Sequence, residues 1–340
     1  MLKLQLDHIT AKVGTREDCA SVLVALCSAE TLNAVPKATT QQLLTQLCTA
    51  TKPVVLVGLG RSFCAGGDLK AAAAERYGRG YAAALEDLVI KQLKGSDITV
   101  VMSGVTMGFG AGMALAAQTR VATETTKLAF PENGVGLVPD VGASYWLPRM
   151  QPRALGLYLA LTGAAMNGAD CYYAGLATYY VQMSQLQDLT PLKSIAPAQF
   201  FASVHRAPSK SACRVLAHLS SIQHHFSHSN LLTIMHSLGS EASPWAVATL
   251  KGLKSACPLS LAVCWELFHK GATECFNACI SSEFNAMVQL TEVHPHNFEA
   301  GLAHLLGGPK PAWQPGSLEE VETGLVQRVL LNAECARLRL

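Results

Sequence analysis

Two acidic residues, Glu132 and Asp140, stand in the segment Phe130-Pro-Glu132-Asn-Gly-Val-Gly-Leu-Val-Pro-Asp140-Val-Gly142, where glycine and proline break any regular element. A loop of this kind lets both carboxyls face one pocket. In an apolar setting burial raises the pKa of one carboxyl toward neutrality, so that it works as acid or base while the other orients water or substrate. Two glycine-rich runs bring a complementary chemistry: Cys64-Ala-Gly-Gly67-Asp68 follows the apolar run ending at Gly60, and Met107-Gly108-Phe109-Gly-Ala-Gly112 follows the one ending at Gly104. Each reads as a strand, a tight turn and a helix start with free backbone N–H groups. Two such termini converging on one point hold an oxyanion, the demand of thioester chemistry. Familiar alternatives fail on spacing: neither glycine run completes GxGxxG, and the chain has no GxxxxGK[ST] and no GxSxG.

The elements that must position these residues alternate. Ala20 to Cys27, Lys52 to Gly58, Ile98 to Ser103 and Lys127 to Phe130 read as strands, while Thr39 to Cys48, Ala71 to Gln92 and Met113 to Thr119 read as helices. Alternation predicts an α/β fold with largely parallel strands. Beyond about Ser184 the segments become helical, at Pro197 to Val204, Ala212 to Leu219, Pro258 to Lys270, Cys275 to Leu290 and His296 to Leu306. A boundary near residue 190 is expected, with a core domain over 1–190 and a helical region over 191–340.

Composition narrows the function classes. In the 340 residues, 26 Lys+Arg face 24 Asp+Glu for a net charge of +2, so no polyanion footprint and no direct nucleic-acid partner is expected. Charged residues are 15% against about 25% in an ordinary soluble domain, and mean hydropathy is +0.24. Burial of part of the surface in an oligomer or a larger assembly is expected. The uncharged stretch from Ile98 to Ala117 has the length of a membrane span. Its glycines at 104, 108, 110 and 112 fit a strand, a turn and a helix better, and no membrane association is expected. Met1 to Ala20 carries Asp7, Glu17 and Asp18 and shows no clear presequence. Eleven cysteines without a CxxC pair read as reduced core thiols, and His224 with His228, at metal-pair spacing but with no third ligand, reads as a solvated face. No metal or redox cofactor is implied.

FCAGGD, GVTMGFGAG, FPENGVGLVPDVGASYWLPR and the following LALTG together resemble the crotonase (enoyl-CoA hydratase/isomerase) superfamily. The likeness runs from Leu32-Asn33-Ala34 through Ala174 to Thr178 to Cys257-Pro-Leu-Ser-Leu261, Asn297-Phe298 and Pro311 to Pro315. It implies a crotonase-like spiral of ββα units, then a helical C-terminal region that closes an acyl-CoA site and mediates oligomerisation. By position it implies an oxyanion hole from the N–H groups of Gly67 and Phe109, with Gly108 at the same turn, Glu132 as acid/base and Asp140 as its partner. Glu86 is a distant counterpart of a further family carboxylate, since the ungapped register puts Ala84 at that position.

Gly112 occupies the position where hydratases of this superfamily carry a second catalytic glutamate. The resemblance therefore implies hydrolysis of an acyl-CoA thioester rather than hydration, with 3-hydroxyisobutyryl-CoA of valine breakdown as substrate and a mitochondrial location. Coenzyme A enters only as part of that substrate. Departures from the family pattern are Gly108-Phe109-Gly110 for three glycines, Cys27-Ser-Ala-Glu30 for Asn-Arg-Pro, and Ala300-Gly301-Leu302-Ala303 for Glu-Gly-Val-Arg. They keep open a second class, a crotonase-fold structural subunit such as a mitochondrial ribosome component. An isomerase using Glu132 alone is the third reading.

Overall fold

A computed structural model describes residues 8–10, 13–70 and 97–331, which fall into two units, each described by itself. The helical segment expected at Ala71 to Gln92, and Glu86 within it, lie outside the described residues. Unit 1 takes its described residues from 8–10, 13–70, 97–129 and 165–217; unit 2 takes 130–164 and 218–331.

Unit 1 is built on two sheets. The larger contains β1 (His8–Thr10), β2 (Val13–Glu17), β3 (Val22–Leu26), β4 (Val54–Gly58), β6 (Ile98–Met102), β8 (Thr119–Thr123) and β11 (Tyr179–Val181), in the order β1-β2-β3-β4-β6-β8-β11. From β3 onward its strands are parallel. The smaller holds β5 (Ser62–Cys64), β7 (Val105–Met107), β9 (Lys127–Ala129) and β10 (Met166–Asn167), in the order β10-β9-β7-β5. A repeat is visible: β4 then β5, β6 then β7, and β8 then β9 each send one strand to the large sheet and the next to the small one. After β7 the helix α2 (Phe109–Ala116) completes a ββα unit, as α1 (Lys37–Thr49) does between β3 and β4.

Every residue of β4 and β6 is buried, which is why both read in sequence as apolar runs, interrupted in β6 only by Thr99. Leu23, Ala25, Val55, Val57, Val101 and Val121 pack on one side with Leu186, Leu192, Phe200 and Phe201 as the core of the unit. The residues Ile98 to Ala117, considered as a membrane span, divide into β6, β7 and α2. Among the described residues no single helix is long and apolar enough to cross a membrane; Pro244–Ser255 and Pro258–Gly271 pass together by composition but meet at a 106° bend.

Two sequence expectations need correction. The helix placed at Met113 to Thr119 starts four residues earlier, at Phe109, and Thr119 already belongs to β8. The glycines there read as a turn, whereas Gly108 with φ +52° is the N-cap and the helix begins at once. The helix expected at Ala212 to Leu219 is instead two 3₁₀ turns, Lys210–Ala212 and Leu216–His218, with the helix Leu219–His225 after them. His224 is exposed as expected, while His225 beside it is 1% exposed, its Nδ1 2.7 Å from Ser237 Oγ and its Nε2 2.7 Å from Glu241 Oε2.

Unit 2 is helical around one loop. Its helices Pro244–Ser255, Pro258–Gly271 and Pro295–Leu305 all open on proline, the residue whose missing N–H costs nothing at a first position. Pro258–Gly271 packs against Arg153–Thr162, Ala143–Trp146 and Phe276–Val288. In the last, Phe276, Ile280, Phe284 and Met287 fall three to four residues apart and are buried, the stripe expected of a helix covering a core. Of the ten cysteines among the described residues, none of them in a disulfide, Cys64, Cys171, Cys257, Cys264 and Cys279 are buried.

Candidate active site

In unit 1 the two glycine runs end side by side. Val35 N–H donates to Gly66 O (2.9 Å) and Asp68 N–H to Val35 O (3.1 Å), a parallel bridge that leaves the Gly67 N–H without an acceptor among the described residues. Phe109 is the first residue of α2, so its N–H has no acceptor within the helix and lies at the positive end of the helix dipole. A Cβ on Gly66 would stand 3.2 Å from Met107 O and 3.8 Å from Phe109 N, which measures how closely the two runs approach. Closer still, a Cβ on Gly110 would lie 2.4 Å from Cys64 O, so only glycine lets α2 start against that strand end. The Phe109 ring is packed away, with the residue 3% exposed. The departure from three glycines thus leaves both donors in place.

In unit 2 the loop with the two acids is tied down on both sides. Glu132 opens a short 3₁₀ turn, Glu132–Val135. Asn133 Nδ2 donates to Ala160 O (2.8 Å) and Leu161 O (3.2 Å), and Asn133 O accepts from Cys257 N–H (2.9 Å). The segment Ala300-Gly301-Leu302-Ala303 lies in the helix Pro295–Leu305, where a Cβ on Gly301 would come within 2.5 Å of Val135. Its glycine therefore supports the Glu132 turn by close approach.

Both acids are buried, Glu132 at 9% and Asp140 at 6% exposure. Burial, and next the charge of Asp140, raise the Glu132 carboxyl well above its ordinary range. Burial pushes Asp140 up to about 7. The Oε2 of Glu132 is buried with no hydrogen-bond partner among the described residues. A carboxyl in that state favours its neutral form at rest and has one oxygen free to engage water or a substrate hydroxyl.

A third acid belongs to this loop, and sequence reasoning missed it. Glu283, in the helix Phe276–Val288, is fully buried, and its two oxygens accept the N–H groups of Gly142 and Ser144, both at 2.7 Å. Burial pushes it up to about 8 against the lowering effect of those bonds. In sequence it is one glutamate in an amphipathic helix; the signal that could have found it is its position amid Ile280, Phe284 and Met287, on the buried stripe. Among the described residues no group of three His, Cys, Asp or Glu side chains is placed to hold a metal ion.

The enzyme-family model for enoyl-CoA hydratase/isomerase matches residues 21–330. The chain is 32% identical to the mitochondrial 3-hydroxyisobutyryl-CoA hydrolase of Xenopus laevis over 94% of this chain and 89% of that one, and 32% identical to 3-hydroxyisobutyryl-CoA hydrolase 1 of Arabidopsis thaliana over 83% and 80%. Its fold is similar to that of a carnitinyl-CoA dehydratase from Mycobacterium thermoresistibile, with a TM-score of 0.87 and 24% identity over 96% of this chain and 98% of that one. An enoyl-CoA hydratase from Rhodobacter sphaeroides 2.4.1 gives 0.83 and 27% over 94% and 97%. With the ββα repeat of unit 1 and a match across most of its length, the chain belongs to the enoyl-CoA hydratase/isomerase family and has the crotonase fold.

Proposed function

We propose that the protein hydrolyses the thioester bond of an acyl-CoA, with 3-hydroxyisobutyryl-CoA as its substrate. The observation that carries this reading is the buried pair of acids, Glu132 with an unengaged oxygen and Asp140 within its electrostatic reach. The names of the relatives at about 32% identity support the same substrate class. In the proposed reaction the N–H groups of Gly67 and Phe109 receive the thioester oxygen as it gains negative charge. Glu132, in the fraction of molecules where it is ionised, takes a proton from water as the water oxygen bonds to the carbonyl carbon. The C–S bond then breaks, and the thiolate of coenzyme A leaves and is protonated to the free thiol. A thiolate is a good leaving group, so the step needs no strong general acid. Asp140 contacts the 3-hydroxyl. Glu132 acting as nucleophile, through an anhydride that water then opens, is the variant of the same reading.

Gly112 lies in α2 and offers no second carboxylate, which favours hydrolysis over addition of water to a double bond. No metal or redox cofactor takes part in this scheme. We place the protein in the mitochondrion, following the names of its relatives, and, from its low share of charged residues, in an oligomer or a larger assembly. The test is thiol release from 3-hydroxyisobutyryl-CoA, run beside Glu132→Gln, Asp140→Asn and other acyl-CoA esters. Turnover in the unaltered protein, lost in Glu132→Gln, is the expected result. No thiol from any ester, with no ester binding by calorimetry, would overturn it in favour of the structural-subunit reading.

A further inference from the structure

The turn that follows Asp140 is strained. Val141, a β-branched residue, has φ +49°, and Gly142 beside it has φ +91°. Few L residues adopt the left-handed region, and a β-branched one does so only where its surroundings over-determine the backbone. Val141 is fully buried, so packing alone could restrain its side chain, but the peptide on its C-terminal side is fixed by something more directional. Glu283 reaches it from a helix 141 residues away, taking the Gly142 N–H on Oε2 and the Ser144 N–H on Oε1, both at 2.7 Å. These are the N-cap and second residue of the short helix Ala143–Trp146, whose first N–H is in turn bonded to Asp140 O at 3.0 Å. One carboxyl thus grips the start of the helix on either side of Ala143, where the strained turn ends.

We propose that Glu283 is a positioning residue for Asp140: its carboxyl holds the strained Asp140-Val141-Gly142 turn so that the Asp140 side chain keeps its place beside Glu132. This rests on the hydrolase reading, in which Asp140 takes part in the reaction. A carboxyl is suited to the task because its two oxygens both accept, whereas an amide offers one acceptor and turns its NH₂ toward the other N–H. Aspartate retains both acceptors on a shorter stem and cannot reach both N–H groups at once.

The test is a double-mutant cycle read on thioester hydrolysis, with Glu283→Gln, Asp140→Asn and the pair. Alone, Glu283→Gln is expected to lower kcat by about 10- to 100-fold, the effect of leaving one buried backbone N–H without its acceptor, with KM for the acyl-CoA within about threefold. In the Asp140→Asn background the same change is expected to cost less than about twofold, because the residue through which it acts is already gone. An equal loss in both backgrounds, or no loss in either, would overturn the proposal, since a general structural role is indifferent to Asp140. Should Glu283→Gln fail to fold, Glu283→Asp is carried through the same cycle and judged by the same outcomes. If the unaltered protein hydrolyses no acyl-CoA ester, the hydrolase reading falls separately. The positioning role is then judged by amide hydrogen exchange: faster exchange at residues 141 to 144 in Glu283→Gln at unchanged global protection supports it, and unchanged exchange there overturns it.

Discussion

Gly110 and Cys64 meet backbone to backbone: a Cβ on Gly110 would stand 2.4 Å from the Cys64 carbonyl oxygen and 2.8 Å from the Cys64 Cβ. The contact brings the start of α2 onto the end of β5, and the Gly67 and Phe109 N–H groups inherit their spacing from it. Because the obstacle is backbone, it cannot rotate aside. Gly110→Ala is expected to destabilise the protein by about 1–3 kcal/mol, the range for overpacking a close contact. Since the two donors separate as α2 moves away, kcat for thioester hydrolysis is expected to fall with KM less affected. Urea unfolding and steady-state kinetics on the same preparation check both; a variant with unaltered kcat would show that the spacing of the two runs does not matter to the reaction.

Phe109 separates the role of a side chain from that of a backbone group. Its N–H is retained by any residue other than proline, while its ring is buried at 3% exposure. Phe109→Ala is therefore expected to lower unfolding free energy by about 3–5 kcal/mol, as buried aromatic truncations do, with kcat of the folded fraction within about threefold. A large rise in kcat would instead mark the ring as an obstruction to the thioester. Phe109→Pro removes the donor itself and is expected to lower kcat by about 100- to 1000-fold.

The legible part of this molecule was the part where local chemistry dictates local structure. The apolar runs of β4 and β6 mark strands buried on both faces, and Pro197, Pro258 and the apolar periodicity after Cys275 mark helices close to their observed limits. Strands of three residues, β5, β7 and β9, are too short for periodicity to register, although the strand expected at Lys127 to Phe130 covers β9. The carboxylate loop was found because glycine and proline isolate Glu132 and Asp140 from any element. Glu283 was missed for the opposite reason. Its importance comes from a fold that carries a helix back onto a loop 141 residues away, and no local pattern records such a contact. The same holds for Asp170, fully buried, whose carboxyl accepts the N–H groups of Arg214, Val215 and Leu216 across more than 40 positions.

Gly112 yields a prediction about what the protein does not catalyse. It lies inside α2, buried, with its N–H bonded to Gly108 O at 3.0 Å, and it presents no group to a water molecule. Addition of water to an α,β-unsaturated acyl-CoA through two carboxylates is expected to be slower than thioester hydrolysis by at least about two orders of magnitude, the usual contribution of one positioned acid–base group. Loss of the conjugated enoyl absorbance, followed beside thiol release in one cuvette, measures the ratio directly. Hydration faster than hydrolysis would return the protein to the hydratase branch and require another second acid.

Asp140 ties stability to pH in a direction opposite to that of most surface carboxylates. Its folded value of about 7 stands above the ordinary value of 3.8 because burial disfavours the charged form. Between those two values the folded protein holds a proton that the unfolded chain has released, so unfolding free energy falls as pH rises. The stabilisation is complete below the unfolded value and is lost as pH passes through the folded one. Within the window the slope is about 1.4 kcal/mol per pH unit for one group. Glu132, raised in the same direction by burial and by Asp140, adds to it. Asp140→Asn cannot ionise, so its stability is expected to vary less between pH 5 and pH 8 and to exceed that of the unaltered protein at the upper end. Urea unfolding across that range decides the matter: parallel curves for the two proteins would mean that Asp140 titrates as an ordinary exposed acid, ionised across the whole range, and is not the buried partner of Glu132 that the proposed reaction uses.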